Sequence, residues 1–509
     1  MNEEIPTEDV IAEPQTAIAK ARARPKGSFA GDVLKLVSGT TFAQALGVLL
    51  SPLLTRLYSP ESFGVLALFT SITGIISVVA CLRYELAIML PERDEEAANL
   101  LAVSLLSVVA IAALSLLIVS LGRPLLLGLL RAPALGPYLW LVPLMVFFAG
   151  AFGALNYWNS RTKHFGRLSV VRVLSAFSTY TVNLGVGYAG HATGGTLIGA
   201  AVLGSALSAL ELGRRIWRDD KGLFRANIRL PFMRQGMVRY QKFPLIDTWS
   251  ALLNTVSWQL PPLMLSYFFS ATVVGHYALG LRVLQLPMSL IGGAIAQVFF
   301  QRAAEAKLQG ALDRVARSTF QRLASFGLFP ILILSVIGRE AFTVVFGYTW
   351  GQAGVYAQIL SLWIFFWFVS SPITTIVSVL EKQRFGLFWN VTLLATRLAS
   401  LLLGGILGSP QIALGLFSAT GAIVYGYVVF KLLAFAGVSW SEMVSPLGRV
   451  LLRFLPAGLL LMFLKVYRSP NWIMVVVGAL AIAVYYGFEA SRDRRLQWLV
   501  SRVIAHRKT

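Results

Sequence analysis

The chain has 509 residues, of which 56% are hydrophobic and 13% are charged, and its mean hydropathy is +0.70. Soluble domains carry about 25% charged residues, so this composition excludes a soluble globular protein and predicts an α-helical membrane protein. The formal charge of +21 does not indicate a nucleic-acid partner, because many Lys and Arg residues lie in short connections between apolar segments, as membrane topology requires.

The first 30 residues contain acids, prolines and basic residues but no apolar core of a signal peptide, so we interpret residues 1–30 as a disordered cytoplasmic tail. A membrane-spanning helix needs about 20 mostly apolar residues. By that criterion the chain has about fourteen spans, at residues 33–54, 63–90, 97–121, 136–156, 168–190, 194–212, 243–268, 272–299, 318–338, 354–380, 386–408, 411–436, 447–466 and 471–488.

These spans group into larger units. Residues 31–212 would form an N-terminal lobe of six helices, and residues 243–436 a second lobe of six. A strongly basic cytoplasmic loop, residues 213–242, would join the lobes. Residues 437–488 would add two helices, and residues 489–509 a basic cytoplasmic tail. The predicted fold class is therefore all-α and membrane-spanning, with two blocks of six helices and two extra C-terminal helices.

Positive charges predict the orientation of the spans, because Lys and Arg concentrate in cytoplasmic connections. The 213–242 loop alone carries nine such residues. The connections that would then lie outside carry only Arg56, Arg123, Arg131, Arg339, Lys465 and Arg468. Both termini are therefore predicted to be cytoplasmic. The basic loop is interpreted as a topological signal near anionic lipid, with recruitment of substrate as the alternative.

A short sequence pattern recurs at an offset of 211 residues. Tyr58-Ser59-x4-Gly64-x2-Ala67-Leu68 returns as Phe269-Ser270-x4-Gly275-x2-Ala278-Leu279. Both copies fall at the outside turn between the first and second spans of a six-span block, which indicates a parallel internal repeat. Prolines interrupt the first span of each block, and we interpret them as hinges, with a simple packing kink as the alternative: Pro52, Pro261 and Pro262.

Charged residues deep in a span are costly and usually face a cavity or a partner. The deepest are Arg282 and Arg397, and basic residues outnumber acids among the other charges within the spans. A cationic cavity suits an anionic ligand, since arginine binds phosphate oxygens in a bidentate fork. We therefore predict Arg282, Arg397 and Arg83 as substrate-binding residues, with a buried ion pair as the alternative for the first two. Ligand hydroxyl groups would bind amides, which otherwise clamp helices together: Gln44, Asn183, Asn254, Gln259 and Gln285.

Arg83 and Glu85 are expected to have different roles. Residues two apart on a continuous helix point about 200° apart, so these side chains would occupy different faces. We expect Arg83 to face the cavity and Glu85 to pair with Arg172 or Lys35 as an inner gate. Alternatively, Arg83 and Glu85 only fix packing at the helix end. The alternative for Arg172 and Lys35 is that their side chains extend to the membrane interface. Asp247 is assigned to the same gate or to ion coupling.

No catalytic, metal or cofactor site can be assembled. The single cysteine, Cys81, lies in an apolar segment, and the four histidines are scattered. The sequence contains no GxxxxGK[ST] motif for binding ATP. We therefore predict a transporter without catalytic residues, metal or other cofactor.

Residues 38–97 contain a recognisable set of residues: Gln44, Pro52, Thr55-Arg56-Leu57-Tyr58, Pro60, Phe63-Gly64, Arg83-Tyr84-Glu85, Ala87-Ile88, Leu90-Pro91 and Glu96-Ala97. This set resembles the N-terminal signature of polysaccharide flippases, the Wzx-type O-antigen and exopolysaccharide translocases of the multidrug/oligosaccharidyl-lipid/polysaccharide exporter superfamily. The whole chain resembles this family in its span pattern, and the resemblance implies two pseudo-symmetric six-helix lobes around a central cationic cavity.

The resemblance implies a substrate of oligosaccharide linked to undecaprenyl pyrophosphate. The flippase would move it from the cytoplasmic to the periplasmic leaflet of a bacterial inner membrane by alternating access, for biosynthesis of lipopolysaccharide or exopolysaccharide. It also implies coupling to an ion gradient or to the membrane potential. Expected partners are membrane lipid and the polymerase and chain-length proteins of the same pathway. As in the related lipid II flippase, the two helices of residues 437–488 would form a groove for the lipid tail.

Three other readings remain open. A drug or metabolite antiporter of the same fold would favour acidic cavity residues and twelve spans. An integral membrane enzyme of glycan assembly would need paired acids or a large outside loop, and the sequence shows neither. A bilayer scaffold would recruit a glycan-assembly complex through residues 213–242.

Overall fold

The computed structural model describes residues 29–286, 288 and 293–492, so most of the two predicted tails, 1–30 and 489–509, lies outside it. The described chain is almost entirely helical. Its first half contains α1 (Phe29–Leu57), α2 (Pro60–Ser77), α3 (Asp94–Leu130), α4 (Val142–Arg161), α5 (Phe165–Tyr188) and α6 (Gly194–Asn227). A short helix, Tyr84–Ala87, follows α2, and a 3-10 helix, Pro133–Leu141, precedes α4.

The connecting helix α7 (Leu230–Arg239) leads into the second half through a π-helical turn, Phe243–Asp247. Short helical turns, Tyr348–Trp350 and Ile376–Val379, flank α12. The remaining helices are α8 (Thr248–Phe268), α9 (Ala271–Leu284), α10 (Gly293–Leu308), α11 (Leu312–Phe346), α12 (Gly351–Ile373), α13 (Gln383–Ile406), α14 (Pro410–Phe435), α15 (Trp440–Val466) and α16 (Asn471–Arg492).

Within the described residues, ten helical segments are long and apolar enough to cross a membrane. Each of the fourteen predicted spans overlaps a helix, but the count of fourteen is not confirmed. The helices α1, α5 and α8 are absent from the ten, and α9 is a shorter apolar helix of 14 residues. These four helices carry polar side chains that line cavities: Gln44, Arg172, Asn254 and Arg282.

The two halves repeat the same helix pairings. In the first half α1 packs on α5, α3 on α4, α2 on α4, α5 on α6 and α4 on α6. In the second half the equivalent pairs are α8 with α13, α11 with α12, α9 with α12, α13 with α14 and α12 with α14. The last two helices, α15 and α16, pack on α11 outside this pattern. This pairing supports the internal repeat inferred from the sequence.

Residues 213–242 differ from the expected loop, because most of them are helical. The helix α6 continues to Asn227, and α7 follows it. Buried apolar residues at four-residue spacing, Leu212, Ile216 and later Phe224, explain the continuation. The Trp158 indole Nε1 donates to Asp220 Oδ2 at 2.9 Å, which anchors the extended helix to α4. The loop was predicted from the many charged residues in this segment, and the apolar spacing that continues the helix was not taken into account.

Candidate functional site

The two halves meet at one end of the molecule through glycine residues of the repeated sequence pattern. A Cβ atom placed on Gly64 would lie 1.8 Å from the carbonyl oxygen of Ala271, and one placed on Gly275 would lie 1.8 Å from that of Pro60. Only glycine allows backbones to approach this closely. The helices α2 and α9 therefore cross at equivalent positions of the repeat, and we name this region the Gly64 end.

A tryptophan of the second half also seals the Gly64 end. Trp350 is fully buried, and its indole Nε1 donates to the carbonyl oxygen of Thr55 at 2.7 Å. Its ring meets that of Phe63 edge-on with centroids 5.0 Å apart. The His276 ring packs against Trp350, and its Nε2 lies 3.1 Å from the Thr349 carbonyl oxygen. Neither His276 nor Trp350 was predicted as a functional residue from the sequence.

At the opposite end of α2, an ion pair joins the two halves, and we name this region the Arg83 end. Arg83 Nε donates to Asp247 Oδ2 at 2.8 Å, and its Nη1 lies 3.4 Å from Glu85 Oε1. The expectation that Arg83 and Glu85 occupy different faces of one helix is wrong. The helix α2 ends at Ser77, and Arg83 has a φ of 62°, so both side chains turn toward each other.

Glu85 is 7% exposed and lies in the short helix after α2. Its Oε2 atom has no hydrogen-bond partner among the described residues. The neighbouring Tyr84 hydroxyl donates to the Met237 carbonyl oxygen at 3.2 Å, which ties the Arg83 end to α7.

A cavity of about 460 Å³ contains two arginines, and we name it the Arg282 cavity. It lies between helices of the first half and α9 of the second half. Among the described residues that line it, none is Asp or Glu. Its polar lining residues are Thr40, Gln44, Arg172, Ser175, Tyr180, Ser208, Arg282 and Gln285.

The two arginines of the Arg282 cavity bond to hydroxyl groups. Arg282 Nη2 donates to the Tyr180 hydroxyl at 3.1 Å, and Arg172 Nη1 donates to Thr40 Oγ1. The expected pairing of Glu85 with Arg172 is therefore wrong, because Glu85 pairs with Arg83. The side chain of Lys35, the other expected partner, lies outside the described part of the structure.

A second cavity, of about 400 Å³, lies among helices of the second half, and we name it the Arg397 cavity. Arg397 is 4% exposed. Its Nη1 donates to Ser257 Oγ at 2.9 Å and to the Ser257 carbonyl oxygen at 3.3 Å, and its Nη2 donates to the Tyr425 hydroxyl at 3.1 Å. Pro261 has no N–H to bond that carbonyl within the helix, so proline leaves an acceptor that Arg397 uses.

The structure separates the predicted binding residues into different places. Gln44, Arg282 and Gln285 line the Arg282 cavity, whereas Asn254 and Arg397 line the other one. Two predicted amides line neither cavity. The Gln259 Oε1 accepts a bond from Ser71 Oγ at 3.2 Å between the halves, and buried Asn183 accepts one from Tyr58 at its backbone carbonyl, at 2.6 Å. The described helices α1 and α8 continue through Pro52, Pro261 and Pro262, whose role as hinges stays a prediction.

Comparison with known proteins identifies the family. The family model described as polysaccharide biosynthesis protein matches residues 53–355, more than half of the chain. A curated relative, the teichuronic acid biosynthesis protein TuaB of Bacillus subtilis (strain 168), is 20% identical over 277 residues. That match covers 53% of this chain and 54% of TuaB, so the chain matches about half the length of this relative.

Two solved structures share the fold. The lipid II flippase MurJ in an inward closed conformation has a TM-score of 0.72 at 11% identity, covering 90% of this chain and 98% of MurJ. An inward-facing multidrug resistance MATE family transporter of the MOP superfamily has a TM-score of 0.60 at 13% identity, covering 79% of this chain and 94% of that one. The chain belongs to the polysaccharide biosynthesis protein family, and its fold is that of the membrane transporters MurJ and MATE.

Proposed function

We propose that this protein is a flippase for oligosaccharide linked to undecaprenyl pyrophosphate. It would carry the headgroup from the cytoplasmic to the periplasmic leaflet of a bacterial inner membrane. The observation that carries this proposal is the Arg282 cavity, which lies between the two halves and holds Arg172 and Arg282 without a lining carboxylate among the described residues.

The charge of this cavity favours an anionic headgroup. Both arginines bond to neutral hydroxyl groups, Thr40 and Tyr180, so their positive charge is not neutralised by these contacts. Guanidinium groups bind phosphate oxygens through paired hydrogen bonds. The amides Gln44 and Gln285 line the same cavity and would accept and donate hydrogen bonds to sugar hydroxyls.

Contacts at both ends of the molecule support transport by alternating access. The Gly64 end is held by close backbone packing and the Arg83 end by an ion pair. We infer that the Arg83 end faces the cytoplasm, as do both termini, and that the Arg83–Asp247 pair is the inner gate. Rotation of the halves would open one end while the other stays closed.

The names of similar proteins agree with this substrate class. TuaB is named for teichuronic acid biosynthesis, and MurJ is named as a lipid II flippase. We propose a lipid-linked glycan as the substrate here, with membrane lipid and polymerase and chain-length proteins of the same pathway as partners.

An ion-coupled antiporter of the same fold is the alternative. It would bind cationic or neutral small molecules, for which two unneutralised arginines are unfavourable. A glycan-assembly enzyme has less support, because the described residues contain no group of His, Cys, Asp or Glu arranged to hold a metal ion.

Reconstitution separates these functions. Full-length protein in liposomes should expose undecaprenyl-pyrophosphate-linked oligosaccharide to an impermeant lectin, and the Arg282→Ala variant should not. Empty liposomes and an Arg384→Ala variant, which changes an exposed arginine, are the controls. Efflux of a fluorescent cationic drug without movement of the lipid-linked oligosaccharide would contradict the proposal and support an antiporter.

A further inference from the structure

The Arg397 cavity has the chemistry of a sugar site. Its volume of about 400 Å³ falls in the range of small-molecule sites, about 300–1,000 Å³. Three indole rings, Trp258, Trp367 and Trp389, line it, and indole rings provide apolar faces for the C–H face of a sugar ring. Hydroxyl and amide groups complete the lining: Ser250, Asn254, Ser257, Ser370, Ser371, Thr374, Asn390 and Tyr425.

Arg397 brings an uncompensated positive charge into this cavity. No carboxylate lies within ion-pair distance of it among the described residues. Its guanidinium group stacks over the Trp258 ring at 4.3 Å, and only neutral oxygens accept its hydrogen bonds. A guanidinium group has five N–H donors. Three are used by Ser257 and Tyr425, so two have no partner in the described part of the chain.

A second donor in the cavity also lacks a partner. The Trp389 indole Nε1 is buried and makes no hydrogen bond among the described residues. The Trp389 ring meets the Tyr425 ring edge-on at 5.8 Å, next to the hydroxyl that holds Arg397. Buried donors normally have acceptors. Because Arg397 and Trp389 both line the cavity, their unpaired donors indicate a ligand that supplies the acceptors.

We infer that the Arg397 cavity is a subsite for an acidic sugar, whose carboxylate binds Arg397 and whose ring packs on the tryptophans. This inference rests on the proposed function and adds that the transported glycan contains a uronic acid. A sugar carboxylate supplies both the negative charge for Arg397 and oxygen acceptors for Trp389. A pyrophosphate would satisfy the arginine but would leave the indole faces without a partner.

The position of Arg397 is fixed by elements that are independent of the ligand. Pro261 frees the Ser257 carbonyl oxygen on α8, Tyr425 extends from α14, and Arg397 itself lies on α13. The guanidinium group is therefore oriented before a ligand enters, which reduces the entropy lost on binding.

Binding of small probes tests the inference directly. Purified full-length protein in nanodiscs is titrated by calorimetry with methyl glucuronide, methyl glucoside and inorganic pyrophosphate. We expect the glucuronide to bind at least about tenfold more tightly than the glucoside, since a hydrogen-bonded charge is lost in the latter. Arg397→Gln should weaken glucuronide binding about tenfold, Arg397→Lys less, and Trp389→Phe about threefold.

A matched arginine provides the control. Arg384→Gln should leave glucuronide binding unchanged, because Arg384 lies on the same helix as Arg397 but is exposed and lines neither cavity. Thermal unfolding of each variant checks whether Arg397→Gln is folded. If Arg397→Gln does not fold, Arg397→Lys, which keeps the positive charge, replaces it in the test. Equal binding of glucoside and glucuronide would overturn the inference. So would normal glucuronide binding in folded Arg397→Gln, or displacement of the glucuronide by equimolar pyrophosphate.

The outcome of the glucuronide binding experiment can be distinguished from the outcome of the flippase assay. Protein that exposes a lipid-linked oligosaccharide to lectin but binds no glucuronide remains a flippase and overturns the acidic-sugar subsite. Protein that binds glucuronide through Arg397 but moves no lipid-linked oligosaccharide overturns the flippase proposal while the subsite stands.

Discussion

Arg83 of the first half donates from Nε to Oδ2 of Asp247 in the second half across 2.8 Å. The two side chains are 24% and 43% exposed, so solvent screens their attraction. Surface ion pairs of this kind contribute about 0.2–1 kcal/mol. The pair is therefore strong enough to bias the proposed gate toward its closed state and weak enough to break during the proposed transport cycle.

A charge swap tests this pair. We expect Asp247→Arg to open the Arg83 end through repulsion from Arg83, and Arg83→Asp together with Asp247→Arg to close it again. If the ion pair contributes about 1 kcal/mol, its loss raises the ratio of open to closed protein about fivefold. The measurement is maleimide labelling of an Ala43→Cys reporter, which lies in the Arg282 cavity, in a Cys81→Ser background. Equal labelling in all variants would contradict the gate.

Arg282 should be needed for translocation. We expect Arg282→Ala to lower lectin exposure of the lipid-linked oligosaccharide at least about tenfold, because a charged hydrogen-bond donor to the headgroup is lost. Arg282→Lys should retain part of the activity, since lysine keeps the charge without the fork. Normal translocation by Arg282→Ala, at normal protein levels, would make this residue structural.

The glycine crossing should tolerate no side chain. We expect Gly64→Ala and Gly275→Ala each to destabilise the protein by about 1–3 kcal/mol through overpacking against backbone. Gly199→Ala is the control, because a Cβ atom there would meet nothing within 4 Å. Thermal unfolding in detergent measures the difference. If the Gly64→Ala and Gly199→Ala variants unfold at the same temperature, the halves do not pack this closely.

The orientation of the chain is also testable. We expect reporter fusions at residues 230 and 505 both to give a cytoplasmic signal, because Lys and Arg concentrate in those segments. A periplasmic signal at only one of them would mean an odd number of spans between the two points.

The sequence predicted the position of each long helix, because apolar segments of about 20 residues are a strong signal. It failed at Arg83, where the break after Ser77 lies inside an apolar segment and only the backbone reveals it. The arginines deep in the spans were identified because placing a charge inside the membrane is energetically unfavourable. That Arg282 and Arg397 occupy separate cavities depends on helix packing, which one sequence does not encode locally.

Trp258 and Trp389 were missed for a different reason. Tryptophan in a membrane protein is usually read as a marker of the interface. Here both rings lie beside polar residues and a buried arginine. Trp258 lies on α8 with Ser257, and Trp389 lies on α13 with Arg397, and this shared placement was the available signal.

The Gly64 crossing also places a pivot near one end of the helix α2. From Gly64 to Ser77 the helix α2 covers 13 residues, a lever arm of about 20 Å at 1.5 Å per residue. A tilt of about 10° around that fulcrum would move the far tip of the lever by about 3.5 Å. Backbones in contact at the fulcrum would hardly shift, whereas the 2.8 Å bond of Arg83 to Asp247 would not survive such a displacement.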